Sequence, residues 1–217
     1  MLARIFIRTQ QLKEACTMSL SKSPINVLPP KNTDGHWHVL IETPRNCRNK
    51  FKYDEDLHVF ILSSVLPAGA VFPYDFGFIP STLGEDGDPE DVLLLMDEPA
   101  YPGCLVPARL IGVIEAEQTE RDGTVCRNDR IVAVAADARD YQNLKSVDGL
   151  DDNLVKEIEH FFISYNEMRG KRFKLLGCRG PKRAEKLLKK STARFEGTQR
   201  PKSKPSRKRK TKTKAKA

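Results

Sequence analysis

Hydrophobic and polar positions alternate with a period near two along much of the first 140 residues, the pattern of half-buried strands. HVLIET (38–43) alternates up to Pro44, and KFKYD followed by HVFILSSVL reads as a hairpin with its turn in Asp54–Leu57. VLLLM (92–96) is short and continuously apolar, as a strand covered on both faces would be. LVPARLIGVIEAE (105–117) and DRIVAVAA (129–136) add β-rich segments on either side of a polar loop at 118–128. After Asp151 the period becomes helical. Leu154, Ile158, Phe161, Phe162 and Tyr165 fall on one stripe, and Asp151 and Asp152 sit where a helix N-terminus favours negative charge. Strands first and a helix last predict an α+β fold with a closed barrel and packed helices.

Composition changes this picture mainly at the ends. The chain has 217 residues and a net charge of +8, but residues 181–217 alone carry 16 Lys or Arg against two Glu, leaving an acidic body of −6. The body is expected to run from Ile25 to Gly180, with 181–217 a mostly disordered basic tail. Residues 1–24 hold one acid, Glu14, and read as a disordered basic leader; a mitochondrial transit peptide and an upstream start before Met18 are the alternatives. No apolar run approaches the ~20 residues of a membrane span. Five scattered cysteines without a C-x-x-C pair suit reduced thiols, so the cytoplasm is the expected compartment, with an organelle as the alternative if the leader is a targeting signal. Cys47 and Cys126 are expected to be unreactive, His36, His38 and His58 to hold no metal, and Trp37 to pack.

The densest chemistry is EDGDPED (85–91), five carboxylates in seven residues. Such a stretch is either a surface turn or a set of oxygen ligands for a hard divalent cation. It lacks the order of an EF-hand loop. Its flanks carry more: FPYDFGFIPSTLGEDGDPEDVLLLMDEPAYPG resembles the signature of soluble family I inorganic pyrophosphatases, built round D-G-D-P-x-D-[VA]-L. VLIETP, NKFKYD, PGCLVPARLIGVI and IEHFFISYN fall in the family's order, so the resemblance spans about Ile25 to Gly180. It implies a five-stranded OB-like closed β-barrel with flanking helices. It also implies Mg²⁺-dependent hydrolysis of pyrophosphate, with Mn²⁺ as an alternative ion and a homo-oligomeric assembly. By the resemblance Asp86 and Asp91 ligate metal, and Asp88 is the general base.

Other positions match less well. Glu42 and Lys50 keep the expected carboxylate and phosphate-binding lysine, while Lys52 stands where the family has Glu. Residues i and i+2 of a strand share a face, so Lys50 and Lys52 are both expected to look into the site, with Lys52 replacing the positive charge lost where Ser63 and Ser64 stand for an Asp-Arg pair. Phe76 replaces a tyrosine. Gln118 and Asn128 stand for two metal-binding aspartates, with Asn128 retained as a neutral metal ligand. Arg130 replaces a lysine, Tyr165 matches, and Asn166 replaces a lysine. Asp129 should face away from Asn128, whereas the loop bearing Glu117, Glu120 and Asp122 is free to supply an acid. These departures leave two alternatives to a working diphosphatase: a catalytically degenerate protein that binds phosphate compounds, and a related phosphohydrolase.

The tail suggests a sequence-independent contact with nucleic acid or another polyanion through residues 189–217, since Phe195 is its single aromatic. KPSRKRK also resembles a nuclear localisation signal.

Overall fold

Trp37–Thr43 (β1), buried at every position but His38, begins a chain of strands described by a computed structural model over residues 24–199. Residues 1–23 and 200–217 lie outside the described residues, and so do the expectations that rest on them. The remaining strands are Asn49–Asp54 (β2), Val59–Val65 (β3), Asp75–Phe78 (β4), Asp91–Leu95 (β5), Leu105–Thr119 (β6), Val125–Arg127 (β7), Arg130–Ala135 (β8) and Arg172–Arg179 (β9). Two helices, Asp152–Glu167 (α1) and Pro181–Gln199 (α2), pack beside them.

Five strands close a ring in the order β1, β4, β5, β8, β6 and back to β1. The pairings are antiparallel except β5 with β8, which run parallel. The closed five-stranded arrangement expected from the resemblance is therefore present. Val92, Leu93, Leu94 and Leu95 of β5 and Ile131–Val134 of β8 are all essentially without solvent contact, so both faces of these strands are covered. Each large side chain buried there contributes about 1.5–3 kcal/mol. Gly77 lets β4 lie against β1, because a Cβ there would meet the Leu40 carbonyl oxygen at 2.1 Å. Trp37 belongs to the same core.

β2 and β3 form a separate two-stranded sheet, with the turn where the sequence places it. Val59, Leu62 and Val65 of this hairpin are exposed. α1 begins at an Asp151 cap, whose side chain accepts from the Asn153 N–H at 2.8 Å. Ile158, Phe162 and Tyr165 are buried and Leu154 and Phe161 pack at the core edge, as the stripe predicts.

Three expectations need correction. Residues 118–128 are not a single loop: β6 runs to Thr119, and β7 returns antiparallel to it. β4, β7 and β9 were not foreseen; β9 extends the sheet by pairing along the outer half of β6. The folded body does not end at Gly180. Pro181 opens α2, a position that suits proline because its missing N–H is not needed there, and Ala184, Leu188 and Ser191 are buried. Among the described residues no helix is long and apolar enough to cross a membrane.

Candidate active site

One cleft of about 600 Å³ lies between the hairpin, the acidic loop, the ends of β6 and β8, and α1. All eleven residues singled out from the sequence line it: Glu42, Lys50, Lys52, Phe76, Asp86, Asp88, Asp91, Gln118, Asn128, Arg130 and Tyr165. They come from six strands, two connections and a helix, so the ring and hairpin bring together positions more than 120 residues apart.

The acidic loop is shaped by its own backbone. The Gly84 N–H donates to the Asp88 carbonyl at 2.7 Å, and the Asp88 N–H donates to Asp86 Oδ1 at 3.2 Å. Gly87 has φ +91°, a left-handed conformation that an L side chain would strain. At the loop's end Asp91 opens β5 and meets Arg130 of β8, with Nη1 to Oδ2 at 2.7 Å. Burial pushes the Asp91 carboxyl up to about 6, against the pull of Arg130 and Lys50. Asp86 is also raised, first by loss of water and then by Asp88 beside it.

Each basic residue has a distinct setting. Lys50 is buried, bonded to Glu42 Oε2 at 2.7 Å, and its ammonium lies 4.3 Å from the Phe76 ring centroid. The substituted Phe76 therefore offers a ring face to this cation in place of a hydroxyl. Lys52 lines the same cleft, as the shared face requires, but stands at its open rim, 3.8 Å from Asp88. Ser63 is in the lining, and it is the extra residue where the hairpin register shifts beside Lys50. Arg130 is buried against the rings of Phe162 and Phe173. Its Nε has no hydrogen-bond partner among the described residues.

A polar chain crosses the cleft wall. Arg130 donates to Asn128 Oδ1, Asn128 Nδ2 donates to Gln118 Oε1 at 3.1 Å, and Gln118 Nε2 donates to Glu120 at 2.6 Å. Lys171 closes the chain on Glu120 at 2.7 Å. Of the three loop acids, Glu120 reaches the cleft. Asp122 caps the Thr124 N–H, and Asp129 is turned away to the Ala116 N–H and Arg127. Tyr165 accepts a hydrogen bond from Arg169, while Asn166 is buried and donates back to the Phe162 carbonyl. Glu120 belongs to the loop expected to be free to supply an acid, whereas Arg169 and Lys171 were not among the expected site residues. Arg169 carried a readable signal, one helical turn beyond Tyr165.

Among the described residues no three His, Cys, Asp or Glu side chains converge as a metal cage. The chemistry of the donor set nonetheless fits a hard divalent ion. The acceptors of the acidic loop are all oxygens, the donor type such an ion prefers, and burial holds the carboxyls of Asp86 and Asp91 above the usual carboxylate range.

The family model described as inorganic pyrophosphatase matches residues 39–196. An inorganic pyrophosphatase of Synechocystis is 39% identical over 150 residues, covering 69% of this chain and 86% of that protein. One from Thermus thermophilus is 36% identical over 163 residues, covering 74% and 90%. Among solved structures, the Thermus thermophilus inorganic pyrophosphatase superposes with a TM-score of 0.73 at 34% identity, covering 80% of this chain and 99% of that one. The Neisseria gonorrhoeae enzyme gives 0.71 at 33% identity, covering 79% and 98%. With its ring, its acidic loop and these relatives agreeing over the same residues, the chain belongs to the inorganic pyrophosphatase family.

Proposed function

We propose that the chain hydrolyses inorganic pyrophosphate to two phosphates, with Asp88 as the general base. The observation that carries this reading is the convergence of all eleven positions on one cleft, in which carboxylates and cations stand side by side. Asp88 lies at the open side, where its carboxylate takes a proton from water as the oxygen attacks one phosphorus and the bridging P–O bond breaks. Lys50, Lys52, Arg130 and Tyr165 bind and orient the phosphate oxygens. The unpartnered Nε of Arg130 supports this role, since a buried donor without an acceptor is costly unless a ligand supplies one. Asp86, Asp91 and the amide oxygen of Asn128 would hold a divalent cation, Mg²⁺ in our reading with Mn²⁺ as the alternative, which neutralises phosphate charge and makes water more acidic. No feature of the cleft favours a catalytically degenerate protein or a larger substrate.

We also infer a homo-oligomer, supported by the exposed apolar side chains of the hairpin, Leu57, Val59, Leu62 and Val65. The cytoplasmic setting is supported by Cys47, Cys104, Cys126 and Cys178, all free thiols.

The test is phosphate release from pyrophosphate with the purified chain, titrated with Mg²⁺. Asp88→Asn should cut the rate by at least about 10²-fold, as loss of a general base does, with the circular dichroism spectrum preserved. An unchanged rate in Asp88→Asn would refute the assignment. Absence of hydrolysis by the wild-type chain at any Mg²⁺ or Mn²⁺ concentration would refute the function.

A further inference from the structure

The acidic loop has a front and a back. Its front, with Asp86, Asp88 and Asp91, forms part of the cleft. Its back rests on α2, which no part of the proposed chemistry uses. Five carboxylates in seven residues repel one another, and on the front Lys52 and Arg130 answer part of that charge. The back is answered from the C-terminal helix. Arg194 Nη1 donates to the Leu83 carbonyl at 2.7 Å, and the Leu83 N–H donates to the Ser191 carbonyl at 3.2 Å. Lys190 Nζ lies 3.1 Å and Arg194 Nη2 3.5 Å from Glu85 Oε1. Leu83, two residues before the first carboxylate of the loop, is thus bonded through both backbone groups to one turn of α2.

The helix is itself held firmly. Ala184 and Leu188 are fully buried, and near its start Arg183 binds Glu115 of β6 at 2.7 Å. Buried Ser191 lies on the same stripe, seven residues after Ala184. Lys190 and Arg194, one turn apart, therefore flank the buried stripe on the side of the loop. The weights of the two cations differ. Lys190 is largely exposed, and an exposed ion pair of this kind is weak. Arg194 is 30% exposed and combines a backbone hydrogen bond with charge, so it is the principal contact.

We propose that Arg194, assisted by Lys190, is a positioning residue that braces the acidic loop from behind and thereby sets the affinity of the cleft for its divalent ion. The bracing stands on the contacts alone; its effect on ion affinity rests on the function proposed above. Ligand-orienting groups that do not touch a metal change affinity by about 10–100-fold when removed, and Arg194 stands in that relation to the loop.

The test uses the full chain and two readouts that need no turnover. Hydrogen exchange of the amides of residues 83–91 reports on the loop itself, and Mn²⁺ binding followed by electron paramagnetic resonance reports on affinity. Arg194→Ala should speed exchange across 83–91 and weaken Mn²⁺ binding by at least about tenfold. Lys189→Ala removes an equal charge from a lysine that pairs with Glu185 instead, and should match wild type in both. Arg194→Lys, which keeps the charge and one donor, should recover part of the loss. If Arg194→Ala is too unstable to isolate, Glu85→Gln tests the same contact from the loop side and should move both readouts in the same direction. Lowered thermal stability with unchanged exchange in 83–91 and unchanged Mn²⁺ affinity would overturn the proposal, reducing Arg194 to a structural contact. Failure of the wild-type chain to bind Mn²⁺ would count against the proposed function and the affinity effect, while the exchange comparison would still decide whether the brace exists.

Discussion

Replacing Lys50 with methionine would leave Glu42 charged, buried and without its cation. The two side chains are each only 9% exposed and meet at 2.7 Å. Removing one member of such a pair costs about 3–5 kcal/mol, mostly because the remaining charge keeps its desolvation penalty. At about 2–4 °C per kcal/mol for a domain of this size, the melting temperature should fall by roughly 6–20 °C. Methionine is a fair probe, because it retains the stem and places a thioether near Phe76 and Phe72 where the ammonium stood. The diagnostic variant is Lys50→Met with Glu42→Gln. Glutamine removes the charge but retains a side-chain oxygen for the Tyr53 N–H, which now donates to Glu42 Oε1 at 3.1 Å. The double variant should therefore recover at least about 2 kcal/mol relative to Lys50→Met. Reversible urea unfolding of all three proteins, followed by circular dichroism, measures this directly. A double variant no more stable than Lys50→Met would refute the reasoning, because the loss would then come from packing and not from an orphaned charge.

Asn128→Asp should lower the Mg²⁺ concentration for half-maximal hydrolysis by adding an anionic oxygen to the cleft; an unchanged or raised requirement would mean that position 128 does not serve the ion. A chain ending at Leu188 loses Lys190, Ser191 and Arg194, so its hydrolysis should require more Mg²⁺ and its melting temperature should fall. A chain ending at Gln199 should match the full chain in both assays. The same Gln199 truncation should abolish salt-sensitive binding to duplex DNA if residues 200–217 form a polyanion handle, with log affinity falling by roughly 0.9 per decade of salt for each phosphate neutralised.

The acidic loop was legible because its chemistry is local: Asp86, Asp88 and Asp91 are specified within six residues of sequence. α1 was legible because five apolar residues repeat at helical spacing. α2 was not, because Lys and Arg dominate its composition and hide a narrow stripe of Ala184, Leu188 and a serine, so charge was read as disorder. β9 has strand-like alternation at Phe173 and Leu175 but follows a helix closely. β7, three residues long, exists through its pairing with β6. Lys171 was hidden for another reason: it meets Glu120 across 51 residues through the pairing of β6 with β9, and no local pattern encodes that contact. The expected orientations of Lys50 and Lys52 followed from the strand period alone, but the difference in their depth did not.

The ring has a consequence for the order in which this protein acquires its properties. Glu42, Asp91, Gln118 and Arg130 sit on β1, β5, β6 and β8, four of the five strands that close on one another. The parallel β5–β8 pair, which brings Asp91 to Arg130, can form only after the chain has travelled out along β6 and back. The β1–β6 pair then joins segments about 70 residues apart. Pairings of such sequence separation form late, because chain entropy must be lost before any contact repays it. A partly folded chain can therefore carry a formed α1 and a formed hairpin and still have no cleft. Refolding followed by pyrophosphate hydrolysis should lag refolding followed by helical circular dichroism, and the interval between the two curves measures the time taken to close the ring.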